Sequence, residues 1–315
     1  AASAFPALAD ALGAERVEGL AALSALVGMV CPGLHSTFSA LNVRMCAELH
    51  HPDGLEYAVC SVDERFRLVE LRVGGMGLAG EVSAFLQMPP VQQRSIGELR
   101  GLISRDEFAG TRALIVGGSR GLGALTAKAL AAGGARVTIT YRAGEADARK
   151  VAEEIGAASA DILGFDVCGP IAEQLSAVGS DINQMYYFAT PAIFRQKQPG
   201  FSHDRFEEFC RHYVSGFWET CAALSERTAG GLAIFYPSST AIDERPRGMT
   251  EYAMAKAAGE VLCADVPRLL PRTKVLVERL PRILTDQTAT TGAQNAEGSS
   301  IMLPILGRMA GLTNP

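Results

Sequence analysis

Val116-Gly117-Gly118-Ser119-Arg120-Gly121-Leu122-Gly123 lies between an apolar run, Ala113–Val116, and an Ala/Leu-rich segment, Leu122–Ala132. The first reads as a strand and the second as a helix. Glycines at such a junction let the chain turn tightly and bring its backbone close to a pyrophosphate. The helix N-terminus then offers free N–H groups and the positive end of its dipole. Taken alone, the loop can also be read as an ordinary glycine-rich βα turn, so its surroundings have to decide. Downstream come strand Arg136–Tyr141, helix Ala146–Ile155 and strands Asp161–Asp166 and Ile182–Phe188. Alternating β and α elements predict an α/β fold of Rossmann type, a doubly wound parallel sheet covered on both faces.

Upstream the pattern is different. Val17–Val30 is apolar and long enough for a buried helix, and Pro32-Gly33 stops it. The runs Tyr57–Val62, Phe66–Val73 and Leu78–Leu86 follow. Val69, Leu71 and Val73 alternate with Glu70 and Arg72, and Gly74-Gly75 separates two of the runs. Period-two alternation predicts antiparallel strands with one face packed. The composition breaks at Met88-Pro89-Pro90, and Ser95–Phe108 reads as a short polar helix or turn. The expected organisation is a smaller α+β domain over 1–92, a linker over 93–109, and the nucleotide-binding domain over 110–315.

With 315 residues there is room for two domains, and nearly half of the residues are hydrophobic. The formal net charge of −5 and the absence of a Lys/Arg run argue against a nucleic-acid partner. Seven cysteines at irregular spacing, with no CxxC pair, suggest neither a disulfide framework nor a zinc site. No metal is expected, and a reducing cytoplasm is the simplest setting. Leu20–Val30 is too short to span a bilayer and follows no basic leader, so neither membrane nor signal peptide is expected.

A second motif is Tyr252-Ala253-Met254-Ala255-Lys256. Tyr and Lys at i and i+4 share a helix face, which by itself is an ordinary amphipathic pair. A neighbouring ammonium would nevertheless bring a phenol, normally near pKa 10, closer to a useful range. The order of the motifs makes the difference: glycine loop, then Ser239 at the end of the apolar run from Leu232, then Tyr252 and Lys256.

From about Phe108 to Asp286 the chain resembles the short-chain dehydrogenase/reductase family. Its first loop, usually TGxxxGxG, corresponds to Gly117, Gly121 and Gly123, with Val116 in place of Thr. Ser119, Arg120 and Leu122 fall within the same cofactor loop. YxxxK fits Tyr252 and Lys256, and Ser239 stands thirteen residues before Tyr252, the family's spacing. The resemblance implies that Tyr252 is the catalytic acid. Lys256 would hold the nicotinamide ribose and Ser239 the substrate oxygen, with Ser238 as the adjacent fallback. It implies adenine contacts from Asp166 and Val167, and cofactor contacts from Ala189, Pro281 and Thr285. Strand Arg136–Tyr141 ends without an acidic residue. Arg142 and Arg120 could therefore take a 2′-phosphate, favouring NADPH/NADP over NADH, although both could equally be solvated surface charges.

Several departures stand out. Phe188-Ala189-Thr190 keeps only the Ala of the family's NNAG. Arg282 replaces the Gly of PGxxxT. Tyr213 stands where family members often carry an Asn that supports a proton-relay water. The usual C-terminal VDGG strand is missing, and Gln287–Gly298 reads as a polar loop over the substrate side. Common tetramer contacts use that strand, so the expected assembly is a homo-oligomer with a dimer favoured.

The layout of the N-terminal third, and Ser24–Ser36 in particular, resembles the catalytic turn of MaoC-like hot-dog hydratases. His35 matches the family's His, while Met29 and Val30 stand where its Asp is expected. His35 is thus either a second catalytic site or, as the missing carboxylate favours, a structural or substrate-lining histidine. Hot-dog folds hold acyl thioesters. The leading expectation is therefore reduction of a 3-oxoacyl thioester on an acyl carrier protein or coenzyme A. The alternatives are a reductase of a free ketone, quinone-like ring or sugar derivative, and a non-catalytic cofactor-binding scaffold.

Overall fold

A computed structural model of the chain describes residues 2–46, 54–86, 93–193, 200–283 and 297–313. The chain divides into two compact units, Ala1–Pro89 and Pro90–Pro315. The smaller unit begins with α1 (Pro6–Leu12) and α2 (Ala14–Ala25), the latter running on into a wide turn, Leu26–Val30. Strands β1 (Ser36–Met45), β2 (Glu56–Asp63), β3 (Leu68–Gly75) and β4 (Leu78–Leu86) form an antiparallel sheet in the order β1-β4-β3-β2. Leu23, Leu26 and Val27 pack on Val69, Leu71, Val73, Val82 and Ala84. The alternation read in β3 and β4 is therefore the buried face.

Three readings of this unit need correction. The predicted helix Val17–Val30 is instead α2 plus the wide turn. Strand β1 was missed, because a bulge between Phe38 and Ala40 breaks the alternation at its start. The β3–β4 hairpin turns at Met76-Gly77, with φ of 52° and 72°, and not at Gly74-Gly75. Gly75 still belongs to β3, where a Cβ would lie 2.2 Å from the Gly54 carbonyl oxygen.

The stretch 93–109, read as a linker, is part of the larger unit. Helix α3 (Ile96–Leu99) starts at a capping box in which the Ser95 side chain accepts from the Glu98 N–H and Glu98 accepts from the Ser95 N–H. Leu99, Ile103 and Phe108 are buried in the same core as β5 (Arg112–Val116) and α4 (Gly121–Ala132). With Ile96, four apolar anchors between Ser95 and Phe108 commit the segment to that core, even though its polar surface suggests a connector.

The unit continues through β6 (Arg136–Tyr141), α5 (Glu145–Ile155), β7 (Ala160–Gly164), α6 (Ile171–Gln174) and β8 (Gln184–Tyr187). Then come α7 (His203–Cys210), α8 (Gly216–Arg227), β9 (Leu232–Ser239), α9 (Ala241–Glu244), α10 (Thr250–Leu269), β10 (Thr273–Leu280) and α11 (Gly298–Thr313). The six strands are parallel, in the order β7-β6-β5-β8-β9-β10. This is the doubly wound arrangement expected.

Strand alternation splits the core into two layers. Ala113 and Ile115 of β5, Tyr186 of β8 and Phe235 of β9 face α4, α5 and α11. Leu114, Val116, Tyr187 and Tyr236 face the layer holding α7, α8 and α10. The chain order reverses between β5 and β8, and in such sheets a ligand sits beyond the carboxyl ends of the strands at that point. Among the described residues β10 pairs only with β9 and forms the sheet's edge. Along it, Lys274 donates to the Leu312 carbonyl, and Arg308 pairs with Glu278 at 2.7 Å.

Candidate active site

The glycine loop opens directly above the switch point. Gly117 follows β5 with φ +80°, and a Cβ there would meet the backbone of Phe188 and Ala189 at 3.0–3.1 Å. Gly123 is more constrained, since its Cβ would lie 2.2 Å from the Gly117 carbonyl oxygen. These approaches bring α4 onto the loop. Thr140, in β6, accepts the Gly117 N–H through its hydroxyl and the Gly118 N–H through its carbonyl. Arg120 is the residue preceding α4 and caps no helix N–H with its side chain. Among the described residues the first turn of α4 has no side-chain cap from Arg120, and its dipole and N–H groups make a cradle that fits a phosphate.

Ser119 and Leu122 flank the turn, and Gly121 takes φ +55°. Arg142, just past β6, is exposed. Arg120 lies 3.7 Å from the carboxylate of Asp147 on the first turn of α5, with both side chains well solvated. Sequence reading missed Asp147 because it looked for an acid only at the end of the strand. Asp166 accepts the Cys168 N–H, while Gln174 bridges its backbone N–H and carbonyl. That fixes the turn carrying the buried Val167. Ala189 follows β8 beside Gly117. Pro281 follows β10, whereas Thr285 lies outside the described residues. So do residues 284–296, and with them most of the predicted polar loop; Gly298 itself opens α11.

Ser239 ends β9 and accepts the Ala241 N–H. Its hydroxyl lies near enough to Tyr252 on α10 to favour the phenolate there. Ser238, the fallback, points elsewhere: it is buried and donates to Glu260 at 2.5 Å. Alternation along the strand separates the two serines. Lys256, one turn after Tyr252, is buried and donates to the Pro237 carbonyl at 2.7 Å. Ser239, Tyr252 and Lys256 are thus brought together at the carboxyl end of the sheet.

The expected lowering of the Tyr252 pKa by Lys256 is not found. Burial holds Tyr252 above the ordinary phenol value, and the nearby Ser239 side chain acts in the opposite direction. Burial also pushes Lys256 down to about 7. Tyr213, on a wide helical turn (Arg211–Ser215) between α7 and α8, stands beside them, its ring meeting that of Tyr252 edge-on.

The sequence profile described as short chain dehydrogenase matches residues 111–297. The chain belongs to the short chain dehydrogenase family. None of the curated proteins matches it. Among solved structures it is similar to a short chain dehydrogenase from Burkholderia cenocepacia J2315 in complex with NADP. The two share 24% identity over 66% of this chain and 94% of that one, with a TM-score of 0.60. A short-chain dehydrogenase/reductase from Serratia marcescens BCRC 10948 shares 22% identity over 66% and 92%, with a TM-score of 0.57. BdcA in complex with NADPH shares 21% over 66% and 91%, with a TM-score of 0.58. At these identities the likeness concerns the fold.

In this short chain dehydrogenase the smaller unit lies before the matched region. His35 sits there on an exposed turn with φ +67°. Among the described residues it makes no side-chain hydrogen bond or ion pair. The resemblance of this unit to a hot-dog domain stays at the level of the sequence. Among the described residues no cluster of His, Cys, Asp or Glu could hold a metal. No described helix is long and apolar enough to cross a membrane. All seven cysteines are free thiols.

Proposed function

We propose that the chain is an NADPH-dependent reductase of a ketone, with a 3-oxoacyl thioester on an acyl carrier protein or coenzyme A as substrate. The observation that carries this reading is the meeting of Ser239, Tyr252 and Lys256 at the carboxyl end of the sheet that also bears the glycine cradle. The cradle fits a dinucleotide, because Gly117 and Gly123 leave no room for a Cβ and α4 presents an uncapped end. Bound there, the reduced nicotinamide supplies a hydride to the carbonyl carbon. Ser239 orients the carbonyl oxygen, Tyr252 gives it a proton, and Lys256 holds the nicotinamide ribose. Asp166, Val167, Ala189, Pro281 and Thr285 complete the cofactor site in this reading. A homodimer is the assembly proposed with it, supported by the exposed Met254, Val261 and Leu269 on α10.

Turnover of NADPH with an acetoacetyl thioester tests the proposal. Reduction of a free ketone alone would favour the alternative substrates, and tight binding with no turnover would favour a scaffold. NADPH is expected to bind at least about tenfold tighter than NADH, roughly 1.4 kcal/mol. Arg142 is free to meet a 2′-phosphate, and Arg120 can exchange its long contact to Asp147 for a charge-assisted one. Arg142→Asp should abolish the preference. Equal dissociation constants for the two cofactors in the unmodified chain would overturn it.

The smaller unit is proposed to dock the acyl chain. His35→Ala is then expected to raise KM for long acyl thioesters and to leave reduction of a small ketone unchanged. His35-dependent conversion of a 3-hydroxyacyl thioester to the enoyl product without nicotinamide would instead make this unit a second active site.

A further inference from the structure

We propose that Tyr213 is a positioning residue for Lys256, its ring closing the inner side of the ammonium against water so that protons reach Tyr252 from the substrate side. The inference deepens the proposed function, which assigns Lys256 and Tyr252 their roles. Its basis is the packing around the Lys256 Nζ. Of the three N–H donors of an ammonium, one is used on the Pro237 carbonyl. The ring of Tyr213 lies 4.0 Å away and that of Tyr236 lies 4.8 Å away, both within cation–π range.

Tyr213 is fixed on several sides. Its hydroxyl is hydrogen-bonded to the Thr190 hydroxyl at 2.5 Å. Its ring stacks on Phe209 at 5.8 Å with an interplanar angle of 7°. Tyr236 donates to its carbonyl at 3.2 Å. Gly259 lets both tyrosines reach α10, since a Cβ there would lie 2.0 Å from the Tyr236 hydroxyl and 3.0 Å from the Tyr213 carbonyl. The wide turn Arg211–Ser215 interrupts regular helix at this level, a distortion that often accompanies functional sites.

Among the described residues few ionisable groups face Lys256. Glu260 and Cys263 come from its own helix, Tyr213 from the wide turn and Tyr236 from β9. Glu260 and Cys263 favour the charged amine, yet burial prevails and the amine sits at about 7. Two ring faces replace only part of the lost hydration. An Asn at position 213 would present a polar group and room for water, and Tyr213 presents neither. In the reduction a hydride adds to the carbonyl carbon, and the Tyr252 phenol proton passes to the oxygen. The phenolate then regains a proton from water in the substrate cleft.

The full chain contains five lysines: Lys128, Lys150, Lys197, Lys256 and Lys274. Selective 15N labelling therefore gives a spectrum simple enough to assign by substitution. One amine is expected to titrate near 7 and to exchange its protons with water far more slowly than the others. Tyr213→Phe, which keeps the ring, should preserve both properties. Tyr213→Asn should raise the midpoint by at least about one pH unit and speed the exchange. An unchanged midpoint and exchange rate in Tyr213→Asn would overturn the proposal. So would fast exchange of Lys256 in the unmodified chain, a measurement that needs no variant to fold. Both readouts use the chain without substrate, so a failure to reduce any ketone would sink the proposed function and leave this test standing.

Discussion

Replacing Tyr252 by Phe is expected to lower kcat by a few orders of magnitude, about 10²–10⁴-fold, while leaving the NADPH dissociation constant nearly unchanged. The substitution is unusually clean here. The Tyr252 ring meets Phe209 at 5.6 Å and Tyr213 at 5.7 Å, both edge-on, and a Phe ring keeps both contacts. Only the hydroxyl and its interaction with Ser239 are lost. In the proposed reaction, removing a hydroxyl that burial holds above its ordinary pKa would leave the carbonyl oxygen without its proton donor. Steady-state kinetics with a cofactor titration check this. Undiminished turnover would show that another group delivers the proton, with Tyr213 the first to examine.

Gly123→Ala is expected to weaken NADPH binding at least about a hundredfold, roughly 2.7 kcal/mol, and to lower stability by a comparable amount. The added carbon would fall 2.2 Å from the Gly117 carbonyl oxygen and 2.9 Å from the Gly118 Cα. Both obstacles are backbone, so no side chain can rotate away; the loop or the helix must move. A moved loop no longer aims its N–H groups at the pyrophosphate. Gly311→Ala is the matched control. That glycine is on the exposed side of α11 with nothing within 4 Å of its Cβ, and the change should stabilise slightly, as Gly to Ala does in helices. Calorimetry of binding and thermal unfolding of both variants decide the matter. Wild-type affinity in Gly123→Ala would mean that the loop is not the cofactor cradle.

Much of this was legible in the sequence, for local reasons. Strand β6 was read with the bounds the structure gives it, because Val137 and Ile139 alternate between a glycine turn and an arginine. The loop at Gly117–Gly123 shows in its glycines, and Ser239, Tyr252 and Lys256 were proposed from the order and spacing of motifs that resemble the family's. What escaped depends on contacts between distant parts of the chain. Leu99, Ile103 and Phe108 gave a connector-like segment a place in the core, which its polar surface hides. Asp147 approaches Arg120 only because α5 folds back over the loop. Substitution by Tyr213 was visible, but its stacking over Lys256 required the wide turn and Gly259 to bring three elements together.

The charged residues of β10 bear on how this edge of the sheet meets other strands. An edge strand offers unpaired N–H and C=O groups to any other strand that approaches, the route by which folded sheets associate and aggregate. Here Arg279 bridges Asp243 and Glu260, Glu278 is held by Arg308, and Lys274 reaches the end of α11. Each charge is tethered to a neighbouring helix and so remains along the margin. Variants that neutralise these three positions would leave the core untouched and yet be the ones to watch for precipitation during expression and storage.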